Sequence, residues 1–248
     1  MIRIIDVHRS FGSQSVLRGI NLRVQKGEIL AIIGRSGSGK TVLLRLIIGL
    51  IRPNSGQVLI EESDITHLSG RHLDRVRERF GMLFQGGALF DSMTVFDNVA
   101  FPLREKTDLS RQEIATQVQK MLENVGLGEM GYKYPAELSG GMKKRTALAR
   151  ALITSPAIIL FDEPTTGLDP ILAHAIHQLI QETHDTFGYT AVIVSHEIPE
   201  VFEIATRVAV IHEGRIIAEG TPEMILKSPD PFIQQFISGS LEGPVQPL

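Results

Sequence analysis

No cysteine occurs among the 248 residues, which excludes disulfides, thiol nucleophiles and thiolate metal sites and agrees with a reducing compartment. Nor does one sign of charge prevail: Lys and Arg total 25 against 28 for Asp and Glu, a formal net charge of -3 with both signs scattered. No basic stripe therefore points to nucleic acid, and no acidic tail to an electrostatic partner. Long hydrophobic runs are missing too. No apolar stretch approaches the roughly 20 residues of a membrane span, and the opening Met1-Ile2-Arg3-Ile4-Ile5-Asp6 meets charge too early for the apolar region of a secretory signal. Any membrane role is expected to be peripheral. Internal repeats and low-complexity tracts are absent as well.

What is present is a complete phosphate-binding loop, Gly34-Arg35-Ser36-Gly37-Ser38-Gly39-Lys40-Thr41. It lies between the apolar stretch Ile29–Ile33 and the helix-like Val42–Ile48. The glycines let backbone N–H groups turn onto phosphates, and the following helix points its positive end at them. Lys40 can reach the outer phosphates, and Thr41 offers a hydroxyl to Mg2+. A nucleoside triphosphate is the expected ligand.

Strand-like segments at Arg3–Val7, Val16–Val24, Glu28–Ile33 and Gln57–Glu61 surround this loop. A polar helix around Arg71–Arg79 and a strand Phe80–Gln85 follow, then a helical stretch from Thr94 to about Gly126, broken by Pro102. From Leu138 the pattern becomes helix, buried strand Ala157–Asp162, helix Ile171–Phe187 and buried strand Thr190–Ser195, the alternation of a parallel sheet. Strands Arg207–His212 and Arg215–Glu219, helix Pro222–Lys227, a segment opening at Pro229-Asp230-Pro231 and a loose tail Gly239–Leu248 complete the chain. The expected fold is α/β: a P-loop NTPase core, a RecA-like parallel sheet with an antiparallel β edge, plus an inserted helical subdomain. Residues 1–228 form the main domain, with the helical insertion at about 86–155, and residues 229–248 form a C-terminal extension.

The strand Ala157–Asp162 ends in two carboxylates, Asp162 and Glu163. Phosphoryl transfer needs acids there: Asp162 to orient Mg2+ and Glu163 to polarise the attacking water. Leu138-Ser139-Gly140-Gly141-Met142 opens a further helix. Ser139 suits an N-cap, yet a cap does not need two glycines after it, where they weaken the first turn. Bare N–H groups at that helix start make a second anion site, from Ser139, Gly140 and Gly141.

With this residue set the chain resembles the ATP-binding cassette family of transporter ATPases over essentially residues 1 to 228. The resemblance makes Gly34–Thr41 the Walker A loop, Gln85 the Q-loop glutamine and ligand-sphere partner of Mg2+ beside Thr41 and Asp162, Leu138–Met142 the signature, and Asp162 and Glu163 the Walker B pair. It makes Gly167-Leu168-Asp169 the D-loop and His196 the switch histidine touching the γ-phosphate. Glu163, His196 and Gln85 are thus the expected catalytic set. Phe11 matches the aromatic residue that stacks on adenine, usually Tyr, and Val16 flanks the same base. Glu197 stands where many members have Asp, and Met142 where Gln is commoner.

The run Phe84 to Val99, the Met-bearing signature and Ser195–Val201 look more narrowly like the ATPase subunit of Mla-type phospholipid transporters of Gram-negative envelopes. The resemblance implies a pair of copies around two ATP molecules, each nucleotide between Walker A of one copy and Ser139–Gly141 of the other, driving integral-membrane permease subunits from the cytoplasmic face of the inner membrane. A soluble cassette ATPase acting on chromosomes or ribosomes is the alternative; the absence of a coiled coil between Lys40 and Ser139, and the single motif set, weigh against it. A P-loop kinase would leave Ser139–Gly141, Gln85 and His196 without a purpose. Leu89, Phe90, Met93, Val95, Phe96, Val99 and Phe101 are either subdomain core or a groove for a permease helix. Phe232, Ile233, Phe236 and Ile237 share one helical face, to be docked on the chain's own core, on a second copy or on a small regulatory subunit.

Overall fold

The computed structural model describes residues 1–244, so the last four residues of the expected loose tail lie outside the described residues. In chain order the elements are β1 (Ile2–Phe11), β2 (Gln14–Val24), β3 (Ile29–Ile33), α1 (Lys40–Ile47), β4 (Ser55–Ile60), β5 (Ser63–Asp64), α2 (Gly70–Arg77), β6 (Phe80–Leu83), α3 (Val95–Lys106) and α4 (Arg111–Asn124). There follow α5 (Gly140–Leu152), β7 (Ile158–Asp162), α6 (Pro170–Phe187), β8 (Thr190–Ser195), β9 (Arg207–His212), β10 (Arg215–Gly220), α7 (Pro222–Leu226) and α8 (Pro231–Ser238). The chain divides into two units, one comprising residues 1–77 and those from Val192 on, the other residues 78–191.

In the first unit, period-2 alternation turns Ile2 and Ile4 of β1 inward, an irregularity at Asp6 (φ 46°) resets the face so that Val7 follows them, and the antiparallel sheet runs in the order β2-β1-β4-β5. β3 has no alternation. All five of its residues are buried, as a parallel strand covered on both faces requires, and it pairs in parallel with β9, which pairs antiparallel with β10. β3 also neighbours β8, which begins in the second unit and ends in the first. Arg77 satisfies the end of α1, its Nε and NH2 donating to the carbonyls of Ile48 at 3.3 Å and Gly49 at 2.9 Å.

The second unit contains the parallel pair β6–β7, in register Phe80 to Ile158, and the helices α3 to α6. Val95, Val99 and Leu103 of α3, Val118 and Leu122 of α4, and Leu148 of α5 are buried in its core. The expected break at Pro102 does not occur. Pro102 lies inside α3, and the helix stops instead at Thr107; Ser110 then restarts the chain as α4 with a capping box to Glu113. The missing N–H costs one hydrogen bond, and the buried stripe Val95, Val99, Leu103 spans the site and holds the helix on both sides of it. Of the residues left between core and groove, Val95 and Val99 are core, Phe90 is exposed, and Leu89, Met93, Phe96 and Phe101 are half-buried.

The C-terminal segment forms α8, N-capped by Asp230, whose carboxylate accepts from Phe232 N at 2.8 Å and Ile233 N at 3.2 Å. Phe232 is 7% exposed and Ile233 1%. The Phe232 ring centroid lies 3.8 Å from that of His212, and Phe236 stacks on Phe232 at 6.0 Å. Of the docking surfaces left open by the sequence, the chain's own first unit receives this face. Replacing Phe232 with Ala should lower stability by about 2 kcal/mol, less than a deep-core truncation because α8 can peel away alone. Melting temperature should fall while the mass by light scattering stays unchanged; a change of mass without loss of stability would place the docking partner on another chain.

Candidate nucleotide site

The first unit carries the phosphate loop between β3 and α1. Two glycines explain its shape. A side chain at Gly34 would run into the Ile211 carbonyl and come within 2.8 Å of Ile211 Cγ2, so only glycine permits the close approach to β9. Gly39, at φ 105°, occupies the N-cap of α1 with no side-chain cap, so no capping side chain competes with an anion at the start of the helix. Lys40 is buried, and its ammonium donates to the carbonyls of Gly34 at 2.7 Å and Arg35 at 3.1 Å, curled within the loop. Ser38 Oγ is buried without a hydrogen-bond partner among the described residues, a donor waiting for an acceptor. A helix start without a side-chain cap, a lysine at the loop and an orphaned hydroxyl fit a triphosphate. Thr41 follows, half-buried, as the second residue of α1.

His196 lies exposed immediately past β8, where Ser195 Oγ accepts from Glu197 N at 3.0 Å. The fold brings it to the phosphate loop: Arg35, Ser36 and His196 line one side of a cleft of about 470 Å3, and Phe232, Gln235 and Phe236 of α8 line another. That α8 borders the phosphate loop was not legible in the sequence. Phe11, at the end of β1, is exposed, with the Arg9 guanidinium 4.5 Å from its ring centroid, a cation–π contact on one face. Val16 is half-buried on β2, and its side chain borders Gly39.

In the second unit β7 ends in Asp162, 7% exposed, and Glu163 follows with φ 51°. A left-handed backbone at a non-glycine residue costs on the order of 1 kcal/mol and re-aims the side chain at the strand end. The Glu163 carboxylate accepts from Gln85 Nε2 at 2.9 Å and from Thr166 Oγ1 at 3.2 Å. Gln85 and Glu163, 78 residues apart in the chain, are thus joined directly. Ser139 N-caps α5, its hydroxyl accepting from Met142 N at 3.3 Å, and a Cβ on Gly140 would sit 3.0 Å from Leu168 Cδ2, so this helix start packs against Gly167-Leu168-Asp169. Asp169 in turn N-caps α6, accepting from Ile171 N and Leu172 N at 3.0 Å each.

Sequence reasoning missed Lys144. It is 6% exposed, and its ammonium donates to the carbonyl of Gln85 and, at 3.4 Å, to that of Glu163. The available signal was spacing: Lys144 stands three residues after Gly141 and four before Leu148, on the buried stripe of α5, whereas its neighbours Lys143 and Arg145 are half-buried. Arg150, on the same helix, has its pKa lowered by burial and remains a cation at neutral pH.

A family model described as ABC transporter matches residues 17–166. The chain is 47% identical over 246 residues to the intermembrane phospholipid transport system ATP-binding protein MlaF of Haemophilus influenzae, covering 99% of this chain and 93% of that protein. It is 44% identical over 245 residues to MlaF of Escherichia coli K12, covering 99% and 91%. The dimeric post-hydrolysis structure of the ATP-binding cassette MJ0796 with ADP and Pi superposes with a TM-score of 0.81 at 31% identity, covering 90% of this chain and 99% of that one. The chain therefore belongs to the ABC transporter family, as an ATPase with a P-loop NTPase fold that uses ATP and Mg2+.

Proposed function

We propose that this chain is the ATP-hydrolysing subunit of a phospholipid transporter, working as a pair of copies on the cytoplasmic face of the inner membrane of a Gram-negative envelope. The observation that carries the reading is identity of 44% and 47%, over nearly the whole chain, with ATP-binding proteins of intermembrane phospholipid transport. Among the described residues no helix is long and apolar enough to cross a membrane, so integral permease subunits are required for transport.

Chemically, the backbone of Gly34–Lys40, the Lys40 ammonium and the Ser38 hydroxyl bind the phosphates, with Phe11 and Val16 placing the base. Thr41, Asp162 and Gln85 are oxygen donors suited to Mg2+, which neutralises phosphate charge when bound. Glu163 takes a proton from the attacking water; Gln85 and Thr166 hold its carboxylate in place. His196, exposed at the phosphate loop, senses the outer phosphate. Ser139–Gly141 complete the site of the second copy. Residues Gly86 to Phe101 pass the closure to the permease.

Two measurements test this. Lys40→Ala should weaken ATP binding by about 30-fold, the loss of one charge-assisted contact worth about 2 kcal/mol. Pull-down of the full chain from solubilised membranes should bring an integral membrane subunit, and the complex in liposomes should move fluorescent phospholipid only with ATP. A permease that moved another solute and left lipid in place would overturn the substrate; no membrane partner at all would favour the soluble alternative.

A further inference from the structure

Helix α5 begins at Ser139–Gly141, and from its buried side it also grips the loop after β6. Lys144 donates to the Gln85 and Glu163 carbonyls. Nearly two turns on, Arg150 NH1 donates to Ala88 O at 2.8 Å and NH2 to Gly87 O at 2.7 Å, and its guanidinium carbon lies 5.9 Å from the Phe90 ring centroid. From the other side Asn98, fully buried in α3, accepts from Phe90 N at 2.8 Å. Its amide donates to the carbonyls of Phe90, Met93 and Thr94 at 3.0 to 3.1 Å.

Residues 84–94 form no helix or strand, and Ala88 is held at φ 49°. Side chains of α5 and α3, rather than a backbone ladder, fix this loop. Carbonyls bonded by cations are the stronger class of such contacts, and losing the cation leaves each acceptor to find another donor. A displacement of α5 therefore carries Gln85 and the Glu163 backbone with it.

We propose that Lys144 and Arg150 are positioning residues that make α5 and the Gln85–Phe90 loop one lever, through which a nucleotide engaged at Ser139–Gly141 sets the Gln85–Glu163 pair of the same copy. This rests on the two-copy reading above. There, each copy's Ser139–Gly141 end faces one nucleotide and its Gln85–Glu163 pair serves the other, so the lever links the two sites. Lys144 touches neither ATP nor the attacking water in this account. It acts by holding two backbone segments on one helix, and cooperativity between sites is its product.

The test is the ATP dependence of hydrolysis by the full chain, with melting temperature and ATP-dependent mass measured alongside. The parent chain should show a Hill coefficient approaching the number of sites, about 2. Lys144→Met, which keeps the stem and removes the donors, should bring it close to 1 and lower kcat ~10-fold while ATP binding to the single chain changes little. Lys144→Arg should restore both. Arg150→Lys, which keeps the charge and removes the fork across Gly87 and Ala88, should give an intermediate coefficient, and it serves if Lys144→Met does not fold. An unchanged Hill coefficient in the folded Lys144 or Arg150 variant, whatever its melting temperature, overturns the proposal. A parent chain that forms the ATP-dependent pair yet hydrolyses without cooperativity overturns it as well. A parent chain that stays monomeric with ATP overturns the two-copy reading itself, and the lever with it.

Discussion

Glu163→Gln will bind ATP as tightly as the parent chain, within about twofold, and hydrolyse it about a hundredfold more slowly, the lower end of what a positioned general base supplies. The amide oxygen can still accept from Gln85 Nε2 and Thr166 Oγ1, the two donors that hold the carboxylate at 2.9 and 3.2 Å, so the side chain keeps its place. What disappears is the negative charge that draws a proton from water. Because binding survives while hydrolysis stalls, the ATP-bound pair of copies should accumulate and be visible as doubled mass by light scattering. Glu163→Ala supplies the contrast. It abandons the Gln85 contact as well, leaving the glutamine amide to seek another partner, and should add disorder of the loop to the loss of chemistry. Parent-like turnover by purified Glu163→Gln would remove Glu163 from the role of base.

How much of this was legible in advance depended on the sequence distance between the parts. The phosphate loop is a local object. Strand, glycines, lysine and helix follow one another within residues 29–47, and each local preference agrees with the final geometry, so pattern and structure coincide. The same holds for the buried strands β7 and β8, whose unbroken apolar runs announce a parallel sheet. Lys144 escaped because its partners lie 59 and 19 residues away, and nothing near it in the sequence says which carbonyls need a donor. Pro102 misled for the opposite reason: a strong local rule was outweighed by the buried face of α3, which only the packed unit reveals. The apolar face of α8 was plain, but an amphipathic helix does not name its partner; the His212 ring tilted against Phe232 and the cleft beside Arg35, Ser36 and His196 do. Phe11 illustrates a subtler gap, since Arg9, two residues earlier, already covers one face of the ring expected to receive a base.

Chains of Lys40→Ala mixed with chains of Ser139→Arg should recover ATP hydrolysis that neither shows alone. The two substitutions damage opposite walls. Lys40→Ala removes the ammonium that sits within the phosphate loop, and Ser139→Arg puts a long cation where the hydroxyl caps α5 by accepting from Met142 N at 3.3 Å. In a homodimer of either, both shared sites lack a wall. In the mixed pair one site inherits both defects and the other is whole. Random pairing at equal concentrations makes about half of the pairs mixed, each with one intact site of two, so recovery can reach about a quarter of parent activity if sites act independently. Coupling of the sites through Lys144 and Arg150 would pull recovery below that ceiling, because the damaged site no longer moves its own lever. Repeating the mixture with Lys144→Met added to both chains should then lift recovery relative to that variant's own reduced activity. A mixture that stays at the level of the two homodimers at every ratio, while light scattering shows mixed pairs forming, would mean that each copy builds its site alone.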